Sequence, residues 1–225
     1  MTNIYILSLG QLIKSDQQKS IKAFASILQD QLDYSALYSY MSVYFYLKMD
    51  QCLNKVVDRH NMGYLDSGQF ETELSNFLGI EKTPQFKDAW NAECEITPET
   101  LGNIVNLVYS LDKTSYQLVV TSATNPMHYT YVMNRINAEL NKHDLPNFDK
   151  NPNIHLAISF ELYETSHSTL TSLAISRNDL DLEGNKFISF DENIRANNVV
   201  YNHATFTSLD IKHLQGCLAE SEDLV

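Results

Sequence analysis

Gln117-Leu118-Val119-Val120-Thr121-Ser122-Ala123-Thr124-Asn125-Pro126-Met127-His128 reads as a strand that runs directly into the start of a helix. Residues 117–122 are short, apolar and β-branched, the composition of a strand buried on both faces of a parallel sheet. A helix over 127–141 follows. The polar turn between them has two readings. Ser122, Thr124 and Asn125 stand where an open parallel sheet binds ligands, and hydroxyls plus helix-start amides suit an anion. Alternatively Asn125 is a helix cap, with Pro126 at the first helical position.

Outward from this stretch the pattern repeats. Ile154-His155-Leu156-Ala157-Ile158-Ser159 and Lys186-Phe187-Ile188-Ser189-Phe190 are strand candidates separated by weakly helical sequence, and Asn198-Val199-Val200-Tyr201 is a last short one. Toward the N-terminus, Met1-Thr2-Asn3-Ile4-Tyr5-Ile6-Leu7 reads as a buried strand. Residues 14–108 between the first and second strands are nearly all helical. Apolar positions recur at three- and four-residue spacing over Ser20–Leu32, and Tyr34–Val57 is apolar almost all round, which predicts a helix buried on several sides or against a partner. Further helices are expected over Gln69–Phe77, stopped by Gly79, over Gln85–Asn91 and over Pro98–Tyr109. Strands alternating with helices mean an α/β fold with a parallel sheet. The expected domains are an α/β core of residues 1–13 and 109–225 and a helical cap of residues 14–108 inserted after strand one.

Composition narrows the function. With 16 basic against 28 acidic residues the net charge is −12, which disfavours nucleic acid and anionic membranes as partners. Cys52, Cys94 and Cys217 form no C-x-x-C pair, and no leader-like or membrane-spanning run is visible, so the reading is a cytoplasmic, reduced protein. The stretch Asp58–Gln69 has the outline of a calcium loop, but His60, Met62 and Gln69 stand where oxygen ligands are needed. There is no nucleophile-elbow, zinc or nucleotide-binding motif, and Thr165-Ser166-His167-Ser168-Thr169 reads as a polar loop.

Several segments, in order, resemble the haloacid-dehalogenase-like (HAD-like) hydrolases, in the branch of sugar-phosphate phosphatases and haloacid dehalogenases with a helical cap. They are Gly68-Gln69-Phe70 with Leu74, Leu78-Gly79-Ile80, Phe86-Lys87-Asp88-Ala89-Trp90-Asn91, Thr97-Pro98 and Ser122 to His128. The likeness spans roughly residues 3 to 215, and its middle third is the specific part. It implies a Rossmann-like three-layer core with the cap after strand one. It also implies a catalytic pair, Asp-x-Asp, at the exit of strand one: a nucleophile that also binds Mg²⁺, and an acid/base two residues on. In Ile4-Tyr5-Ile6-Leu7-Ser8-Leu9-Gly10 those places hold Leu7 and Leu9.

The resemblance makes Ser122 the phosphoryl-binding hydroxyl, with Thr124 and Asn125 beside it. It places a lysine after Ile158–Tyr163, where this sequence continues Glu164-Thr165-Ser166-His167 without one. Of the acidic pair that completes the metal shell it leaves Asp191 and, more weakly, Glu192.

Groups that act as one catalytic unit do not fail additively, so these losses together predict an inactive relative with no cofactor, which acts by binding a protein or a phosphorylated small ligand. The alternatives are a phosphoric monoester hydrolase with residual Mg²⁺-dependent activity, in which Asp191 and Glu192 hold the metal or Asp16 swings in, and a sensor that holds a phosphate or sugar phosphate without turnover. Surplus aromatics in Tyr34–Tyr46 have two readings, packing within the cap itself or an interface, including a homodimer through the cap. The acidic end Ala219–Val225 reads as a solvated tail.

Overall fold

The computed structural model describes residues 3–49, 51–180, 186–189 and 205–206. By contact density the chain divides into two units. One holds residues 1–13, 96–123 and 132–225, and the other Lys14–Glu95 with Thr124–Tyr131.

The first unit carries the sheet. Strands β1 (Asn3–Ser8), β4 (Gln117–Ser122), β5 (Ile154–Ile158), β6 (Lys186–Ser189) and β7 (Thr205–Phe206) lie in the order β5-β4-β1-β6-β7, and every neighbouring pair is parallel. β1 is central. Its Ile4 and Ile6 pair with Gln117 and Val119 on one side and with Phe187 and Ser189 on the other. The alternating set Ile4, Ile6, Val119, Ala157 and Phe187 packs against Leu170, Ala174 and Ile175 of α10 (His167–Arg177). The opposite set, Tyr5, Leu7, Leu118 and Val120, is buried as well. The unit's remaining buried apolar side chains come largely from α7 (Pro98–Lys113) and α8 (Pro126–Asn141). Burial on both faces explains why these strands read as continuous apolar runs.

The second unit is helical: α2 (Gln17–Leu32), α3 (Ala36–Met49), α4 (Gln51–Asn61), α5 (Ser67–Leu78) and α6 (Gln85–Asn91). A two-stranded ribbon joins its two ends, β2 (Lys14–Ser15) pairing antiparallel with β3 (Cys94–Glu95). An exposed Lys19–Glu95 ion pair and the Asp16 amide, which donates to the Glu93 carbonyl, fasten the same place. The core of this unit is Phe24, Phe70, Phe86 and Trp90 with Ile21, Leu28, Leu74 and Leu78. Phe24 meets the Phe86 ring edge-on at 5.1 Å. α5 begins with a capping box, Asp66 with Gln69, and ends at Gly79, which takes φ 69°.

Four sequence expectations change. The helix expected over Tyr34–Val57 is described over Ala36–Met49 as α3 and Gln51–Asn61 as α4, so it starts two residues later and runs on past Val57. Over residues 36–44, α3 is buried on one side only: it packs on α2, burying Ser39 and Val43, while Leu37, Tyr38 and Met41 face solvent. An apolar pattern shows what a helix is able to bury, and only the neighbours decide what it does bury. The helix from Pro98 runs to Lys113 and groups with the sheet rather than with the insertion. Thr165–Thr169 is not a loop throughout, because α10 starts at His167 after Ser166. The strand expected at Asn198–Tyr201 and the acidic tail fall outside the described residues.

Gly79→Ala should destabilise the protein by about 1 kcal/mol in urea unfolding with no change in slope. No heavy atom lies within 4 Å of the added Cβ, so the cost is the left-handed backbone alone.

Candidate functional site

Strand order runs outward from β1 in both directions, and in such sheets ligands bind outside the carboxyl ends of the strands at that reversal. The residues there are Leu7 and Ser8, which end β1, and Leu9, which opens the short helix α1 (Leu9–Leu12). Ser8 is the N-cap of α1, and its backbone N–H donates to Gln11 Oε1 at 2.8 Å. Leu7 pairs in register with Val120, two residues before Ser122, which puts Leu7 and Ser122 on the same face of the sheet. Leu7, Leu9 and Ser122 are all buried.

The place after β5, where a lysine is expected, is built differently. The short helix α9 (Ser159–Leu162) follows the strand, and the Glu164 carboxylate accepts hydrogen bonds from the Thr165 and Ser166 amides ahead of α10. His167 Nδ1 then pairs with the Thr121 hydroxyl at 2.8 Å.

Mg²⁺ takes hard oxygen donors in a near-octahedral shell, and the side chains of Leu7 and Leu9 at the β1 exit supply no carboxylate for one. Among the described residues no cluster of three or more His, Cys, Asp or Glu is arranged to hold a metal ion. Asp191 and Glu192 lie outside the described residues. Asp16 accepts a hydrogen bond from the Gln18 amide as the N-cap of α2. Cys94 is no substitute nucleophile, because burial, aided by the Glu93 carboxylate, pushes its thiol up to about 12.

The three residues proposed to hold a phosphate do not share one unit. Ser122 belongs to the sheet, whereas Thr124 and Asn125 belong with the helices. Asn125 is the N-cap of α8: its Oδ1 accepts from the His128 amide at 2.9 Å and from Trp90 Nε1 at 3.4 Å. Its Nδ2 donates to Asn61 Oδ1 at 3.3 Å and to His128 Nδ1 at 3.1 Å. Both acceptor positions and both donor positions of the amide are engaged. Asn125 thus has a structural role as the cap of α8.

His128 completes this network, which the sequence reading missed. Its Nε2–H donates to the Trp90 carbonyl at 3.0 Å, and its ring stacks on the Trp90 indole at 5.1 Å. Glu93 lies 3.7 Å from Nδ1, the spacing of an ion pair. Burial, however, lowers the His128 pKa to about 4, so at neutral pH the ring is uncharged and Nδ1 accepts from Asn125. His60 is held similarly, its Nδ1–H donating to the Leu65 carbonyl at 3.0 Å while the ring stacks on Phe70. Burial lowers its pKa too. The one sequence signal was positional. A histidine three residues past an asparagine cap stands where capping boxes carry a side chain that reaches back.

No protein-family model matches the sequence, and no curated protein sequence matches it. Solved structures do. A HAD-family enzyme of Bacteroides thetaiotaomicron, in complex with magnesium and inorganic phosphate, superposes with a TM-score of 0.65 at 17% identity, over 95% of this chain and 98% of its own. A predicted HAD-like family hydrolase from Porphyromonas gingivalis gives 0.56 at 21% identity, over 92% and 90%. This chain therefore has the HAD-like hydrolase fold, a Rossmann-like α/β architecture around a parallel sheet. No helix among the described residues is long and apolar enough to cross a membrane.

Two measurements check the Asn125–His128 network. Asn125→Ala removes a cap and strands buried partners, and should cost about 2–4 kcal/mol in urea unfolding. His128 has a folded pKa below its unfolded value near 6.5, so the unfolded chain binds more protons between the two. Its contribution is complete above pH 6.5 and is lost as pH falls toward 4, by up to about 3 kcal/mol. Urea unfolding at about pH 7 and about pH 4.5 should show wild type losing more stability than His128→Gln.

Proposed function

We propose that this chain is a non-catalytic protein of the HAD-like fold that acts by binding a partner through its helical unit. One observation carries the reading: Leu7 and Leu9 are buried at the β1 exit, where the fold's chemistry needs two carboxylates. A leucine cannot attack phosphorus, ligate a cation or pass a proton. The absence of lysine after β5 points the same way, since His167 there is engaged with Thr121. The leucines also suit an idle site. Paired carboxylates without a cation would be costly to bury, whereas each buried leucine stabilises by about 2 kcal/mol.

The test is an assay of the full chain with a generic aryl phosphate and a sugar-phosphate panel in the presence of Mg²⁺. The expected result is no turnover above the buffer rate and no thermal shift with phosphate or Mg²⁺. Metal-dependent turnover that disappears in Asp191→Ala would overturn the proposal in favour of a residual phosphoric monoester hydrolase. Stabilisation by phosphate alone would turn it into a phosphate or sugar-phosphate sensor, because a ligand bound only by the folded state raises its stability.

A further inference from the structure

Leu37, Met41 and Tyr44, at three- and four-residue spacing, with Tyr38 beside Leu37, form a stripe along α3, and Tyr34 just ahead of the helix extends it. All five are exposed, Leu37 by 73%, Tyr38 by 57% and Met41 by 52%. Scattered apolar residues on a surface need no explanation, but a continuous stripe does. The tyrosines are also arrayed. Tyr34 and Tyr38 meet edge to face at 4.8 Å, and Tyr40 stacks beside Tyr44 while its hydroxyl donates to Gln18 of α2.

Charge narrows the occupant. The chain carries −12, yet from Tyr34 to Met49 there is no Asp or Glu and only one cation, Lys48. Two copies of an acidic chain repel wherever their carboxylates face each other. On α3 they can meet without burying a charge. A strongly charged partner of either sign would find no counter-charge along the stripe.

Size agrees. At about 200 Å² for each large side chain, the exposed part of the five amounts to roughly 500 Å² per copy. A symmetric contact would then bury about 1,000 Å² in all, the lower bound of a specific interface. A stripe of Leu, Met and Tyr is self-complementary when reversed on a two-fold axis, and tyrosine and methionine are enriched in interface cores. We propose that α3 is a homodimerisation face, packed against α3 of a second copy. This deepens the binding role proposed above by naming the partner, and it rests on that role only in using the same unit.

The association state of the full chain tests it. Sedimentation velocity from about 1 to about 100 µM should show the mass rising from 25.7 kDa toward twice that value. Leu37→Glu with Met41→Glu places like charges in the stripe and should weaken the dimer by about a hundredfold or more. Tyr163→Glu, at an exposed tyrosine of the sheet unit, should leave it unchanged. Circular dichroism confirms that each variant is folded. If the double glutamate variant is not, Leu37→Ala with Met41→Ala replaces it, with about tenfold weakening expected. A wild type that stays monomeric at the top concentration, or a dimer that survives in a folded stripe variant, overturns the proposal. Phosphatase turnover bears on the catalytic reading alone, so the two can fail separately.

Discussion

The burial of β1 is the constraint on which the rest depends. It is paired on both edges and covered on both faces, so each of its side chains must be apolar or matched by a partner. Ile4, Ile6 and Leu7 meet that demand with hydrocarbon. At the strand's exit the demand usually conflicts with function, because a ligand site at the end of a central strand needs polar groups in a place that favours apolar ones. Here the conflict is absent. Leu7 and Leu9 continue the core to the end of the strand, and Ser122 is the hydroxyl that remains beside them.

The helical unit solves a different problem. Its ends leave and re-enter the chain side by side at the β2–β3 ribbon, and its core is a cluster of aromatic rings from α2, α5 and α6. The start of α8 belongs to that core as well. Asn125 and His128 tie Trp90 and the end of α4 together, with every polar atom of these two side chains hydrogen-bonded. A buried polar network that is completely paired adds specificity to packing, whereas a half-paired one would cost stability. The start of α8 thus holds the helices of this unit together through Asn125 and His128.

Much of this was legible along the chain. The strands at 117–122 and 154–158, the helix 85–91 and the glycine stop at 79 follow from short-range pattern, because each is decided by the residue's own conformational preference and near neighbours. The leucines at 7 and 9 were legible too, but only beside the resemblance that says what usually stands there. The exposed side of α3 was not. Its all-round apolarity is compatible with complete burial, and tyrosine rings tolerate either environment. The role of His128 was hidden for a related reason: its partners Trp90 and Asn61 lie far away in sequence, and no local pattern records a hydrogen bond across such a distance.

By itself the sequence determined the alternation of strands and helices, the apolar exit of β1 and the acidic surface, since each rests on residue chemistry and spacing within a few positions. Only the tertiary structure decided that Pro98–Lys113 goes with the sheet, that Asn125 is consumed by a cap and three further partners, and that a tyrosine-rich stripe of α3 faces water. These outcomes depend on which surfaces remain uncovered, and on which donors meet which acceptors, once the elements have packed.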